Sequence, residues 1–579
     1  MSKGTLHRLV KRGDYTGVQG FLQARPLTDV AAANAIDRSG LTPLMYAVKD
    51  RSLDVGLVRL LLEHGASTSV ASGQIGEGDS GVLPLALAAG DPDKVTALIE
   101  AGADIKYQRP GGYDALINAV HGRDILRDAR LIELLELLVR NGVSLSGTTT
   151  YRESGLRVLS RIGRFDAVDF LLGAGADERH LQWTPLIRAV ALGSLSEVES
   201  AVRGGASLEG VDWWERTAWL VAIQVGDIAK ARFLRDSGAN TTVRGRCGMP
   251  PLFYAIENHH PRMLKWLLDI GCDREHTDEF ATSPLVTATG CDDIDCVNIL
   301  LEVGADADRV NDGHSALDRV RSRTVALRLL DAGADPSRLS DEGRRLLVGL
   351  PPEPDEDLLD VSPEEFHRGR GRRFGSSNPE HIREPFWECM IRAGMTGYTA
   401  NELFDGPSSF DAGPVWCARR FGQSLTFLPD GRVVQIAGEH EDHYDPDFCI
   451  YNDVFVHERD GTVRIFGYPE ATFPATDFHT ATLIGEHIYV IGSLGYAGKR
   501  QIGETPVYRL DTRSFQIERV TARGESPGWL YGHRAVQRGP HEIGIAGGKV
   551  VTTVTGEEVH IDNEESFVLD TAQLTWRAV

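Results

Sequence analysis

Motifs that mark common enzyme classes and membrane proteins are missing from this sequence. It contains no Gly-x-Ser-x-Gly elbow, no phosphate-binding P-loop and no His-Glu-x-x-His helix. The most apolar run, residues 131–139, is interrupted by two glutamates and is too short to span a bilayer. We therefore expect neither an enzyme nor a membrane protein.

Cysteine and positive charge are also scarce. The seven cysteines form no Cys-x-x-Cys pair, and their odd number fits reduced thiols better than a disulfide framework. The formal net charge is −22, which argues against a nucleic-acid partner because phosphate binding needs a basic face. The first residues have no signal-peptide core. Together these features predict a cytoplasmic protein without a cofactor and without nucleic-acid or membrane partners.

A short phrase recurs every 33 residues between Trp183 and Asn311. Each phrase precedes an apolar helical run, a polar break, a second helical run and a glycine. Proline loses no hydrogen bond in the first turn of a helix, and glycine adopts the left-handed conformation that ends one. The phrases are Thr184-Pro185-Leu186, Thr217-Ala218-Trp219, Pro250-Pro251-Leu252 and Ser283-Pro284-Leu285.

This pattern resembles the ankyrin repeat, whose period is close to 33 residues. Equivalent leucines extend it from Leu6 to Leu317, with irregular spacings in the first half, and give ten candidate units. The resemblance implies an ankyrin-repeat α-solenoid over 1–350, stabilised by the stacking of neighbouring units. It also implies that hairpin tips and inner helices form a concave protein-binding face.

Unusual side chains at the predicted hairpin tips are candidates for partner binding. Trp213 and Trp214 are adjacent where small polar residues are usual, and they serve either as a binding anchor or as packing against a neighbouring tip. Trp219 instead replaces a core leucine, so we expect it to be buried. The weaker tip candidates are Arg244, Arg246, Phe280 and Arg309.

Two segments separate the helical repeats from the C-terminal third. Residues 351–380 are rich in proline and glycine and carry an acidic block followed by an arginine block, which predicts a charged linker. Residues 381–414 contain one amphipathic helical pattern and are expected to form a helical or irregular connector.

The pattern changes from helical to strand-like over residues 415–579. Apolar strands that end on glycine recur at intervals of 54 and 55 residues, and a further strand follows each of them. A phrase before each of these strands has one shared position, which we expect to be structural. The residues at this position are Gln423, His479 and His533.

These strand repeats resemble the kelch repeat of β-propellers, on the pair Gly547-Gly548 and the terminal Trp576 of the last unit. The resemblance implies a partial β-propeller of about three blades, since closed propellers have four to eight. Three ways to cover the open sheet edges are left open. They are strands from residues 381–420, the ankyrin stack, and a homodimer through the propeller edge.

An acidic loop in this region is the strongest candidate for chemistry. It concentrates five carboxylates and two imidazoles in nine residues, but has neither EF-hand spacing nor another fixed metal motif. A solvated acidic loop is the simpler interpretation, and a metal site is the alternative. The candidate ligands are Glu439, His440, His443, Asp445 and Asp447.

The two repeat regions together predict a scaffold or adaptor that binds partner proteins through the ankyrin concave face and the kelch-domain loops. Two alternatives are kept. One is a metal-dependent enzyme or cation-binding protein that uses the acidic loop. The other is an inhibitor or immunity-type protein that neutralises an enzyme, an interpretation by analogy with the family alone.

Overall fold

Pairs of short helices build the N-terminal part of the molecule, and strands dominate the C-terminal part. The chain divides into two compact units, Met1–Ala316 and Leu317–Val579. This is a computed structural model, and it describes residues 5–25, 30–37, 39–72, 83, 90–109, 111–121, 125–311, 314–355, 358–441 and 448–579.

Local sequence sets the bounds of the helices in the first unit. The hydroxyls of Thr184 and Ser283 accept backbone N–H groups at the start of first helices, and a proline follows each. Asp227 caps a second helix, and Gly238 beyond its end has a φ of 97°. The α-helices run Thr5–Lys11, Tyr15–Gln23, Pro43–Lys49, Val55–Glu63, Pro92–Glu100, Ala115–Val120, Leu131–Arg140, Gly155–Ile162, Phe165–Gly173, Pro185–Leu192, Leu195–Arg203, Ala218–Val225, Ile228–Asp236, Pro251–Glu257, Pro261–Asp269, Pro284–Gly290 and Ile294–Glu302.

Stacking of neighbouring repeats forms the core of the first unit. First helices contact first helices and second helices contact second helices along the series. The repeat leucines point into these contacts, and Leu186, Leu252 and Leu285 are all buried. Trp219 is buried as well, in the leucine position where packing was expected. Truncating one of these leucines to alanine would cost about 2–5 kcal/mol, the usual range for a buried leucine.

Several helices of the second unit pack against a sheet. Residues 351–380, expected to be a linker, contain a helix whose Phe366 is fully buried against Phe386. Trp387 and Trp416 stack with their ring centroids 4.5 Å apart in the same core. The α-helices run Arg323–Asp331, Asp341–Leu347, Pro363–Gly369, Pro385–Ala393, Gly397–Leu403 and Ser409–Ala412.

Three antiparallel sheets make up most of the second unit. In spatial order, the first sheet contains Glu380–Ile382, Val463–Gly467, Val454–His457, Val433–Ile436 and Ser424–Phe427. The second contains Ile517–Arg519, Val507–Asp511, His487–Ile491 and Thr480–Ile484. The third contains Thr575–Ala578, Ser566–Asp570, Glu542–Ala546 and Arg534–Gly539, with Arg523–Gly524 added in parallel at its edge. Two smaller sheets pair Trp529–Tyr531, Lys549–Val554 and Glu557–Asp562, and Glu439–His440 with Cys449–Ile450.

The three sheets follow one another in space. Strand Thr480–Ile484 of the second sheet contacts Ser424–Phe427 of the first sheet and Arg534–Gly539 of the third. A repeated side-chain bond joins them. His479 Nε2 hydrogen-bonds to the Ser424 hydroxyl, and His533 Nε2 hydrogen-bonds to the Thr480 hydroxyl, each at 2.8 Å. Residues 381–420 add part of one edge strand and three helices to this unit, and no further sheet is formed from them.

Candidate functional site

The loops between helical repeats form tight turns of one geometry. At four of them, between residues 149 and 282, the backbone N–H of one residue donates to the carbonyl four residues later, a bond that also occurs from Asp37 and from Arg109. The residue at the middle of each turn is followed by one with a φ between 56° and 67°. We call these four middle residues the tip row: Tyr151, Trp214, Cys247 and Phe280.

Backbone hydrogen bonds link the turns of Trp214, Cys247 and Phe280 to one another, and tie the turns of Tyr151 and Trp214 to the loops that precede them. The tip side chains are therefore held by neighbouring repeats rather than on independent loops. The bonds run from Thr150 N–H to Gly111 O, from Trp213 N–H to Leu181 O, from Arg246 N–H to Trp214 O and from Glu279 N–H to Cys247 O, at 2.9–3.1 Å.

The two predicted tip tryptophans are partly buried against arginines. The guanidinium carbon of Arg157 lies 3.5 Å from the ring centroid of Trp213, and that of Arg246 lies 5.1 Å from the ring centroid of Trp214. The Trp214 indole N–H donates to the Arg157 carbonyl at 2.8 Å. Both rings thus contact neighbouring repeats, and each keeps part of its surface open to solvent.

A buried ion pair fixes this tip from below. Arg216 and Asp212 have side chains 1% exposed, and the Arg216 Nε donates to Asp212 Oδ2 at 2.9 Å. Arg216 also donates to the carbonyl and hydroxyl of Ser160 and to the Gln224 side chain. Asp212 Oδ1 accepts the Trp214 backbone N–H at 2.9 Å. The ion pair therefore helps to fix the position of the turn that carries the two tryptophans.

The other members of the tip row are exposed. Phe280 is 68% exposed and Tyr151 is 77% exposed, which is unusual for large aromatic side chains in a folded unit. Cys247 lies between Trp214 and Phe280 in the row and is also exposed. The sequence pattern missed Tyr151 because the spacing of repeats is irregular before residue 186.

The remaining predicted tip residues differ in how tightly their side chains are bonded to neighbouring residues. Arg244 is exposed, and its Nη1 lies 3.5 Å from the Thr277 carbonyl. Arg309 is instead held by a 2.6 Å ion pair with Glu275. Arg161, on an inner helix, is exposed beside Trp214. The tip row is thus flanked by guanidinium groups, in a chain whose formal net charge is −22.

The candidate metal ligands of the acidic loop fall into two groups. His443, Asp445 and Asp447 lie outside the described residues. Glu439 and His440 form a short strand paired with Cys449–Ile450, and His440 is buried. Among the residues that the structure describes, no group of three or more His, Cys, Asp or Glu side chains is placed to hold a metal ion.

Glu439 has a second carboxyl group beside it that sequence reasoning missed. Burial and the neighbouring Asp477 raise the pKa of Glu439 to about 7. Burial also raises the pKa of Asp477, which is fully buried and accepts the Gly495 backbone N–H at 2.6 Å. Two carboxyls in contact share a proton more readily than they ionise together.

The stacked helix pairs and hydrogen-bonded hairpin turns of the first unit define it as a helical repeat domain. Comparison with known families identifies ankyrin repeats in this chain, matched as "Ankyrin repeats (3 copies)" over residues 6–109 and 252–339 and as "Ankyrin repeats (many copies)" over 221–268. The ankyrin repeats predicted from the sequence are therefore confirmed. Repeats of this kind are in general non-enzymatic modules for protein–protein interaction.

One curated relative is the ankyrin repeat protein nuc-2 of Neurospora crassa. It is 28% identical over 178 residues, which cover 30% of this chain and 17% of nuc-2. The chain thus matches about one sixth of that relative's length. Separately, none of the described helices is both long and apolar enough to cross a membrane.

Proposed function

We propose that this protein is a scaffold whose ankyrin unit holds a partner protein against the tip row. The observation that carries the proposal is the recurrence of exposed or partly exposed side chains at equivalent turns, with Tyr151 and Phe280 more than two-thirds exposed. Exposed aromatics at fixed spacing supply large contact areas at little entropic cost, as binding hot spots do. Ankyrin repeats in general serve this kind of role.

The charges beside the tip row favour a partner with acidic side chains. Arg161 and Arg244 are exposed there, and Arg246 lies over both tryptophans while bonding to Glu215 at 3.2 Å. Guanidinium groups next to aromatic faces bind carboxylates while the rings supply apolar contact. We infer that the partner presents a segment in which acidic and apolar residues alternate.

For residues 415–579 we propose a kelch-type partial propeller that offers a second binding surface. Support comes from three sheets in series and from the repeated histidine bond between them. At the position of His479 and His533 the first sheet has Gln423, whose carbonyl accepts a hydrogen bond from Arg344 at 3.0 Å. Two linked binding surfaces would raise the effective concentration of a second contact.

Loss of two tip aromatics should weaken partner binding without unfolding the protein. We would capture partners on the immobilised full-length protein, identify them by mass spectrometry, and titrate the purified partner. The double variant Tyr151→Ser, Phe280→Ser should bind about 30-fold more weakly, the effect of losing about 2 kcal/mol of hot-spot contact. Because both rings are exposed, its unfolding curve should match that of the wild type.

Phe410→Ser is the matched control, since Phe410 is 71% exposed but lies in the second unit. This variant should bind the partner as the wild type does. Equal weakening by both sets of substitutions would reject the tip row as the binding surface, and so would full affinity in the double variant.

A further inference from the structure

A pocket in the second unit is lined by four arginines. Helix Asp341–Leu347, the end of helix Pro385–Ala393, residues 418–423 and strand Val433–Ile436 surround it. Such a concentration of positive charge stands out in a chain with 83 acidic and 61 basic residues. The arginines are Arg344, Arg345, Arg419 and Arg420.

Two of these arginines are neutralised by carboxylates. Arg420 is buried and donates from Nη1 and Nη2 to the two oxygens of Asp453. Arg419 donates from Nε and Nη2 to one oxygen of Asp341, at 2.9 and 2.7 Å. Asp341 stands at the mouth of the pocket with 40% of its side chain exposed.

The other two arginines form no ion pair within 4 Å among the described residues, although Asp341 lies near enough to favour the charged form of both. Arg345 is buried and donates to the carbonyls of Pro351, Ile391 and Arg392. Arg344 donates from Nε to the Leu339 carbonyl at 3.2 Å and from Nη1 to the Gln423 carbonyl. The pocket therefore keeps a net positive charge that carbonyl dipoles solvate but do not cancel.

Two guanidinium nitrogens in the pocket have no hydrogen-bond acceptor among the described residues. In the part of the chain that the structure covers, neither Nη2 of Arg344 nor Nη1 of Arg419 donates to any protein atom. Burial lowers the pKa of both Arg344 and Arg345, the nearby Arg419 lowers that of Arg345 further, and the opposing effect of Asp341 does not offset this. A guanidinium stays charged in proteins, so these arginines keep their positive charge in spite of burial. A bound anion would lower the electrostatic free energy of that charge.

We propose that this pocket binds the oxyanion group of a small molecule, a carboxylate or a phosphoryl group, between Arg344 and Arg419. Guanidinium N–H groups match the oxygens of both ligand groups, and the charge-assisted bonds are about twice as strong as neutral ones. Asp341 is the internal competitor, because it already occupies two donors of Arg419. The ligand must displace or tolerate this carboxylate, which limits affinity in the wild-type protein.

Isothermal titration of the full-length protein with inorganic phosphate, and separately with succinate, tests the proposal at constant ionic strength. We expect at least one probe to bind with millimolar or tighter affinity, and the one that binds identifies the ligand group. Asp341→Asn should bind that probe about fivefold more tightly, as expected for removing one charge near the surface of a protein. Arg419→Gln should abolish the binding.

The ion pair between Arg509 and Glu518 provides matched controls, because Arg509 is 35% exposed and Arg419 is 34% exposed. Arg509→Gln should leave binding unchanged, and Glu518→Gln should not tighten it. The proposal is overturned if neither probe binds the wild type or Asp341→Asn. Equal tightening by Glu518→Gln and Asp341→Asn would also overturn it, since the effect would then be general surface charge. The gain of affinity in Asp341→Asn cannot arise from misfolding.

Discussion

Replacing Arg216 with methionine tests the buried ion pair that supports the tryptophan tip. Methionine is unbranched and shorter than arginine and has no charge and no donors, so the substitution removes the bonds to Asp212, Ser160 and Gln224 together. The Asp212 carboxylate stays buried and keeps its two backbone N–H donors, from Trp214 and from residue 216 itself. It loses its sole charge partner within the described part of the chain.

The expected cost follows from this uncompensated charge. Removing one member of a buried ion pair usually costs about 3–5 kcal/mol, because the remaining charge is neither paired nor hydrated. Removing both charges by Asp212→Asn, Arg216→Met should restore part of the loss, since buried pairs contribute little beyond their mutual compensation. In Arg216→Met the Trp214 turn is held by Asp212 without its ion pair, so the variant should also bind the partner more weakly.

Urea unfolding of the full-length protein, followed by far-ultraviolet circular dichroism, measures the loss of stability in the single variant and its partial recovery in the double variant. Circular dichroism reports mainly on the first unit, because most helices lie there. Arg203→Met is the control: Arg203 is 69% exposed and its ion pair with Glu199 spans 3.4 Å. This exposed pair should contribute less than about 1 kcal/mol. A loss below about 1 kcal/mol for Arg216→Met would refute the reasoning, as would a double variant no more stable than the single one.

Two further predictions concern pH and the second unit. Burial lowers the pKa of His479 and His533 to about 3 and that of His457 to about 4, below the unfolded value near 6.5. Their stabilisation is complete above pH 6.5 and is lost on acidification, by about 2 kcal/mol per histidine at pH 5. His533→Gln, which copies Gln423 of the first sheet, should therefore flatten the fall in urea stability between about pH 7 and pH 5; an unchanged slope would contradict this. Glu439 acts in the opposite direction, because its raised pKa makes its ionised form unfavourable in the folded state. Linkage gives about 3 kcal/mol for this shift at pH 8, and the partial exposure of Glu439 reduces it, so Glu439→Gln should raise the free energy of unfolding by about 2 kcal/mol at pH 8 and by less at pH 5. An equal effect at both pH values would contradict the shifted pKa.

The repeat architecture could be predicted because each unit solves the same packing problem with the same residues. Proline after a hydroxyl residue begins a helix, glycine ends the next one, and the leucine between them must face a neighbour. The exposed state of Phe280 follows from its place in this pattern. Tyr151 has the same place, but the 30-residue gap between Leu156 and Leu186 hides it from a search at period 33.

Other features depend on residues that lie far apart along the chain. Phe366 sits in a segment of linker-like composition, and its burial depends on Phe386 twenty positions later. The arginine pocket is lined by side chains from positions 341 to 435. Asp477 lies beside Glu439 although the two residues are 38 positions apart in the sequence. No local pattern marks such groups, because their proximity is set by tertiary packing.

Site-specific photo-cross-linking is the measurement that tests the central claim most directly. A benzophenone side chain placed at Phe280 or Tyr151 of the full-length protein should label the captured partner on irradiation. The same group at Arg203, on a second helix, should not. Labelling of the partner from both tip positions and not from position 203 is the predicted result. Labelling from position 203, with none from the tips, would show that the partner binds elsewhere.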